Sequence, residues 1–157
     1  SLLCVHGGIS PRVESLDTIR AIDRLKEVPI GPNAYADLLW SDPNEGKSET
    51  DYKNPRGCGV LYGEDVVGTF LAENGLTCII RSHQLVHDGI LKSFGGKVMT
   101  VWSAPNYCHK EDNEAAVLEI TSMAKIKVHK FNASEQSLAG ANTVDTVKSA
   151  VIKQYFD

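Results

Sequence analysis

Thr77-Cys78-Ile79-Ile80-Arg81-Ser82-His83-Gln84 is a short apolar run that stops abruptly at Arg-Ser-His-Gln. Its length and β-branched residues predict a strand covered on both faces, and its polar end delivers His83 to one edge of a sheet. In open α/β sheets chemistry collects beyond the carboxyl ends of such strands. Leu2-Leu3-Cys4-Val5-His6-Gly7-Gly8 ends in the same way, in a histidine followed at once by a Gly-Gly turn. Two strands that each end in histidine predict an α/β fold with His6 and His83 on a common rim. That pair would be half of a metal site, although strand-end histidines can equally be satisfied core residues, and the pattern alone leaves both readings open.

Outward from these strands the chain alternates helical and extended segments. Ser10-Pro11 punctuates the loop after the first strand, and Leu16, Ile19, Ile22 and Leu25 recur at spacings of three behind Ser15, predicting a half-buried helix with Ser15 as its N-cap. Ala34-Tyr35-Ala36-Asp37-Leu38-Leu39-Trp40 predicts a second helix, capped by Asn33 and ended by Asp42-Pro43. Residues 44–55 are polar and predict a long exposed loop. A third helix is expected over 63–74, with Val66, Val67, Phe70 and Leu71 inward and Gly75 as its stop. After the turn signal His87-Asp88-Gly89 a strand is expected over 98–102, then a hairpin over 115–120 and 124–131. In its second strand Ile126, Val128 and Phe131 are set against Lys125, Lys127 and Lys130. We divide the chain into residues 1–131, forming one domain, and a tail over 132–157, rich in Ser, Ala, Gly, Asn and Thr, ordered only where something docks it. A chain that opens inside an apolar strand, with no initiator methionine, is expected to be part of a longer protein.

Composition narrows the function classes. With 157 residues, 42% of them hydrophobic and 23% charged, the chain suits a soluble globular domain. No window approaches the roughly 18 uninterrupted apolar residues of a membrane span. The net charge of −4 is spread along the length without a basic block, so nucleic acid is not expected as a partner. Cys4, Cys58, Cys78 and Cys108 are widely separated with no C-x-x-C pair, which points to a reducing compartment, with Cys4 and Cys78 as small apolar core residues.

Four further residues are candidates for chemistry. Arg56, in Arg56-Gly57-Cys58-Gly59, is a fixed cation between glycines that let backbone approach a ligand, and its guanidinium fork matches a phosphate or carboxylate; a solvated loop arginine is the alternative. Tyr107, after Pro105-Asn106, would line a substrate groove or cap the core. Asp42 and Asn106 stand at loop entrances and could offer oxygen contacts to a hard cation. His87, His109 and His129 have polar neighbours and are expected on the surface.

Taken together and in order, Cys4-Val5-His6-Gly7-Gly8-Ile9-Ser10-Pro11, Asp37-Leu38-Leu39-Trp40-Ser41-Asp42-Pro43, Arg56-Gly57-Cys58-Gly59 with Tyr62-Gly63, Arg81-Ser82-His83-Gln84 and Ser103-Ala104-Pro105-Asn106-Tyr107-Cys108 resemble the second half of the PPP-family protein serine/threonine phosphatases, from the first residue to about Phe131. Val101-Trp102 and a chain ending in Tyr155-Phe156 look closest to the protein phosphatase 2A, 4 and 6 branch. The resemblance implies part of the calcineurin-like metallophosphoesterase sandwich, in which mixed β-sheets are flanked by helices. It also implies hydrolysis of phosphoserine and phosphothreonine by a metal-bridged water at two metal ions, manganese, iron or zinc. His6 and His83 would be the imidazole ligands of one metal, Arg56 would clamp the phosphate, Tyr107 would face it, and Asp42 would be a supporting acid. Implied partners are phosphoprotein substrates and regulatory or scaffold subunits, with toxins of the okadaic acid and microcystin type near Tyr107 and Cys108. The expected compartment is the cytoplasm, with the nucleus as an alternative.

The chain departs from that pattern in ways that bear on activity. The Gly-Asp-x-His-Gly, Gly-Asp-x-Val-Asp-Arg-Gly and Gly-Asn-His-Glu motifs, which supply the remaining metal ligands and the acid for the leaving group, are absent, so the chain is expected to be inactive alone. Val60 replaces an aromatic, Tyr62 a phenylalanine, His109-Lys110 a Tyr-Arg pair, and Asp157 the terminal leucine of the 2A-like branch. Alternatives to the phosphatase are a non-catalytic interaction module that keeps the fold and a metallophosphoesterase for small phosphate esters.

Overall fold

The computed structural model describes residues 1–29, 31–46, 50–51, 53–121 and 125–134. The expected tail beyond residue 134, part of the 44–55 loop and Ala124 lie outside the described residues. Strand β1 (Leu2–Cys4) is followed by helices α1 (Leu16–Arg20) and α2 (Ala34–Trp40), short strands β2 (Asp42–Pro43) and β3 (Leu61–Tyr62), and helix α3 (Glu64–Glu73). Then come β4 (Cys78–Arg81), β5 (Ile90–Ser93), β6 (Val98–Val101), β7 (Ala115–Ile120) and β8 (Ile126–Phe131).

The α/β expectation holds. A four-stranded sheet runs in the order β1-β4-β6-β5; β4 is central and parallel to both β1 and β6, and β5 returns antiparallel to β6. In register, Leu2 faces Cys78 and Cys4 faces Ile80, so β1 and β4 end side by side. Because parallel neighbours point the same way, the loops carrying His6 and His83 emerge at one edge. The core under the sheet is built from Ile9, Val13, Leu38, Val60, Tyr62, Val67, Phe70, Leu71, Ile79, Phe94 and Val98.

The helices form where capping chemistry allows. Ser15 accepts from the Thr18 amide and Asn33 from the Ala36 amide, each satisfying an otherwise unpaired donor in a first turn. Helix α1 is shorter than its apolar spacing suggests: it ends at Arg20, and Leu25 is fully exposed. The Asp23 carboxylate captures the Leu25 amide at 3.0 Å, a local turn that competes with helical bonding. Helix α3 follows its prediction, with Val67, Phe70 and Leu71 buried and Gly75 at φ +61 beyond its end.

Three further expectations change. Cys4 is exposed whereas Cys78 is buried, because β1 is the edge strand of the sheet among the described residues. Strand β5 has no counterpart in the sequence reading; as the opposite edge it leaves Leu91 48% exposed, and its sequence lacks the apolar run of a central strand. In the β7–β8 hairpin Ile120 opposes Ile126, Leu118 opposes Val128, and Phe131 opposes Ala115. Side chains alternate faces with period two, so Phe131 shares a face with Lys127, and Lys130 with Ile126 and Val128.

Candidate active site

His6 and His83 meet at the predicted rim. The Nε2 of His6 lies 3.1 Å from the Nδ1 of His83, with ring centroids 4.9 Å apart. Several features hold this geometry. The Ser82 amide donates to the His6 carbonyl at 3.0 Å, tying the two strand ends together, and His83 adopts φ +64, a left-handed conformation that turns its ring back over the edge. Trp40 packs edge-on against the His83 ring at 5.3 Å. Gly7 and Gly8 are required by close approach: a Cβ at Gly7 would lie 2.5 Å from the Leu39 carbonyl carbon, and one at Gly8 would enter the Tyr62 ring.

Electrostatics keep His83 neutral. Burial, then the nearby Arg56 guanidinium, pushes its pKa from the ordinary value down to about 4. The Nε2 of His83 is buried and has no hydrogen-bond partner among the described residues. Two imidazole nitrogens that approach each other this closely suit a borderline metal ion, so this pair fits as two ligands of a metal centre. Among the described residues no group of three or more His, Cys, Asp or Glu side chains gathers into a complete ligand set.

Beside the histidines sits a buried charge network that the sequence announced only in part. Asp42, 3% exposed, accepts from Arg81 Nη2 at 2.8 Å on one oxygen and from Arg56 Nε at 2.7 Å on the other. Arg81, 1% exposed, also donates to the Gly7 carbonyl at 2.5 Å, the Ser41 carbonyl at 3.1 Å and Gln84 Oε1 at 2.8 Å. Burial lowers the pKa of Arg81, which is opposed by Tyr62 and Asp42. Arg81 therefore links the loops after β1 and β4 to the end of α2. Arg56 is oriented from two sides. Asp42 holds its Nε, and Asn54, itself buried, accepts the Arg56 amide at 3.0 Å while its amide group donates to the carbonyls of Trp40 and Val60. The Arg56 side chain remains 36% exposed, so the rest of its guanidinium faces outward. Gly59, at φ +71, passes so close to the Trp40 carbonyl that a Cβ would lie 2.6 Å from its carbon.

Tyr107 stands apart from the histidines. It is 43% exposed, and its ring meets Trp102 at 4.8 Å and 90°. A cavity of about 330 Å³, lined by Ser82, Trp102, Ser103, Ala104 and Tyr107, connects it to the residue before His83. Asp42, Arg56, His6 and His83 are thus neighbours, and Tyr107 shares its groove with Ser82, the residue before His83. Asn106 adopts φ +46 at the entrance to that loop, its amide bonded to the Asn113 carbonyl. His87, His109 and His129 are on the surface as expected. Sequence reasoning missed Arg81 and Asn54; the only signal for Arg81 was a charged residue closing an otherwise apolar strand.

A family model for calcineurin-like phosphoesterases matches residues 1–87, which contain the His6, Asp42, Arg56 and His83 constellation. The chain belongs to the calcineurin-like phosphoesterase family. Within that family it resembles the catalytic subunits of the protein phosphatase 2A, 4 and 6 branch. It is 45% identical, over 96% of its length, to serine/threonine-protein phosphatase 4 catalytic subunit of Candida glabrata, covering 48% of that protein. To a protein phosphatase 2A catalytic subunit of Dictyostelium discoideum it is 42% identical over 99% of its length, covering 49% of that relative. To the phosphatase 6 catalytic subunit of Drosophila melanogaster it is 49% identical over 79%, covering 40%. A solved protein serine/threonine phosphatase from Saccharomyces cerevisiae superimposes with a TM-score of 0.76 at 31% identity, over 86% of this chain and 45% of that one. This phosphoesterase chain therefore spans about half the length of the curated relatives it matches.

Proposed function

We propose that this chain forms part of the catalytic domain of a metal-dependent protein serine/threonine phosphatase. The carrying observation is the convergence of His6 Nε2 and His83 Nδ1 beside an arginine that Asp42 holds in place. In this reading the two histidines are ligands of one of two metal ions, manganese, iron or zinc, which when bound supply Lewis-acid charge and an activated water. Arg56 binds the phosphate oxygens with the guanidinium donors not engaged by Asp42 and stabilises charge that grows on them during transfer. Asp42 acts as the acid that fixes Arg56. Tyr107 faces the phosphorylated residue from the loop after β6. The remaining ligands and the proton donor to the leaving alkoxide would come from outside the described residues.

Substrates in this reading are phosphoproteins bearing phosphoserine or phosphothreonine, selected with the help of regulatory or scaffold subunits. We further infer a catalytic domain over residues 1–131 and a cytoplasmic or nuclear setting; no helix among the described residues is long and apolar enough to cross a membrane. In this reading toxins of the microcystin and okadaic acid type would bind near Tyr107 and Cys108, and the exposure of the Cys108 thiol supports that placement. The test is turnover of phosphoserine and phosphothreonine peptides against nucleotides and small phosphate esters, by the protein at its natural length, with and without a chelator. Preferential peptide turnover, lost on chelation and restored by manganese, is expected. Preference for small esters, or turnover indifferent to chelation, would overturn the proposal.

A further inference from the structure

We propose that Asn113 is a positioning residue that sets Tyr107 at the mouth of the site. This rests on the reading of Tyr107 as substrate-facing, and it originates in a buried amide that the chemistry above does not use. Asn113 is 3% exposed. Its Oδ1 accepts the Tyr107 amide at 2.8 Å, and its Nδ2 donates to the Ala104 carbonyl at 2.9 Å and to the Glu114 carbonyl at 2.8 Å. Its own carbonyl accepts the Asn106 amide at 3.0 Å. One residue thus closes the neck of the loop that follows β6, bonding both to the segment entering it and to Tyr107 itself.

Only a carboxamide of this length can do so. The arrangement needs one acceptor and two donors on a short planar group, and Asp, Ser or Ala lacks at least one donor. The loop also needs clasping. Asn106, Cys108, His109 and Asp112 all have positive φ, at +46, +55, +57 and +47, a conformation that Asn and Asp tolerate but that is unfavourable for Cys108 and His109. Strain of this kind persists only where surrounding structure enforces it. Without the Asn113 bonds the loop would relax and Tyr107 would leave Trp102, opening the groove lined by Ser82, Trp102 and Tyr107.

The test uses Asn113→Ala and Asn113→Asp. The second keeps an acceptor for the Tyr107 amide but turns a carboxylate oxygen toward two carbonyls. The first readout is independent of activity: near-ultraviolet circular dichroism of the Trp102–Tyr107 pair, with Tyr107→Ala as the reference for a lost pair. Both Asn113 variants are expected to unfold cooperatively and to show the reference spectrum. A wild-type spectrum in Asn113→Ala, or global unfolding of both variants, would overturn the proposal, because Asn113 would then not place Tyr107 or would serve only the stability of the domain. The second readout is phosphopeptide kinetics of the protein at natural length. We expect KM to rise about tenfold with a smaller fall in kcat, and Asn113→Ala with Tyr107→Ala to be no worse than Tyr107→Ala alone. Additive losses would overturn the proposal. If Tyr107→Ala leaves the kinetics unchanged while the Asn113 variants lose the spectral signature, the substrate-facing reading of Tyr107 fails and the placement by Asn113 stands.

Discussion

Replacing Asp42 by Asn tests whether the network at the site holds together through one carboxylate. The substitution keeps the shape and removes the charge that neutralises Arg81, whose side chain is 0% exposed, and that orients Arg56. Breaking a buried ion pair by removing one partner typically costs about 3–5 kcal/mol, because the other charge is left uncompensated in a poorly solvated place. Arg81 keeps its bonds to Gly7, Ser41 and Gln84, so we place the loss near the lower end, about 3 kcal/mol. That is a large share of the about 5–15 kcal/mol by which a domain is stable. With a urea slope of about 1–3 kcal/mol/M, the unfolding midpoint should fall by about 1–3 M. The companion double variant, Asp42→Leu with Arg81→Met, removes both charges together and should recover most of the loss. A midpoint shift in Asp42→Asn corresponding to less than about 1 kcal/mol, or a double variant as damaged as the two single changes summed, would refute the reasoning.

Other variants separate catalysis from stability. Arg56→Ala should change stability by about 1 kcal/mol or less, because the pair it forms with Asp42 is partly exposed, while turnover by the protein at natural length falls about 10²–10³-fold; unchanged kinetics would make it a loop residue. Gly8→Ala would drive a methyl group into the Tyr62 ring, which is 0% exposed, and should cost about 1–3 kcal/mol, read as a lower thermal midpoint; a neutral change would mean that the two segments separate easily. The depressed pKa of His83 sets a pH dependence: an unfolded chain takes up the proton near the ordinary value, the folded one only near 4. Its contribution to stability is therefore full above about 6.5 and is lost as pH falls from there towards about 4. Urea midpoints measured across this window should decline, and His83→Gln should flatten the decline; an equal slope in the variant would show that other groups cause it.

Much of the site was legible because its signals are local. Strand ends at His6 and His83 follow from apolar runs that stop, and Arg56 from its glycine setting. The role of Asp42 was half legible: an acid at a loop entrance is visible, but its two arginine partners lie 14 and 39 residues away. Asn54 and Asn113 were not singled out at all, since an asparagine in a polar loop looks like a solvated turn residue until its amide is seen buried against carbonyls. The hairpin illustrates the same limit. Its two strands were readable as a hairpin, yet Val117, Ile120, Val128 and Phe131 remain 38–48% exposed, and no local pattern distinguishes a covered apolar face from an open one.

The sequence by itself determined most of the helices and central strands, where Ser15, Asn33 and Gly75 begin and end them, and that two histidines close apolar strands. Those properties depend on residues within a turn or two of one another, through periodicity, capping and backbone freedom. Only the tertiary structure decided that β1 is an edge strand among the described residues, which exposes Cys4, that Arg81 is a buried hub rather than a surface charge, and that Asp42 and Asn54 bond to Arg56 while Asn113 bonds to the Tyr107 amide. Those outcomes depend on which distant groups share a dry interior, where a polar atom must find a partner or bear the full cost of desolvation.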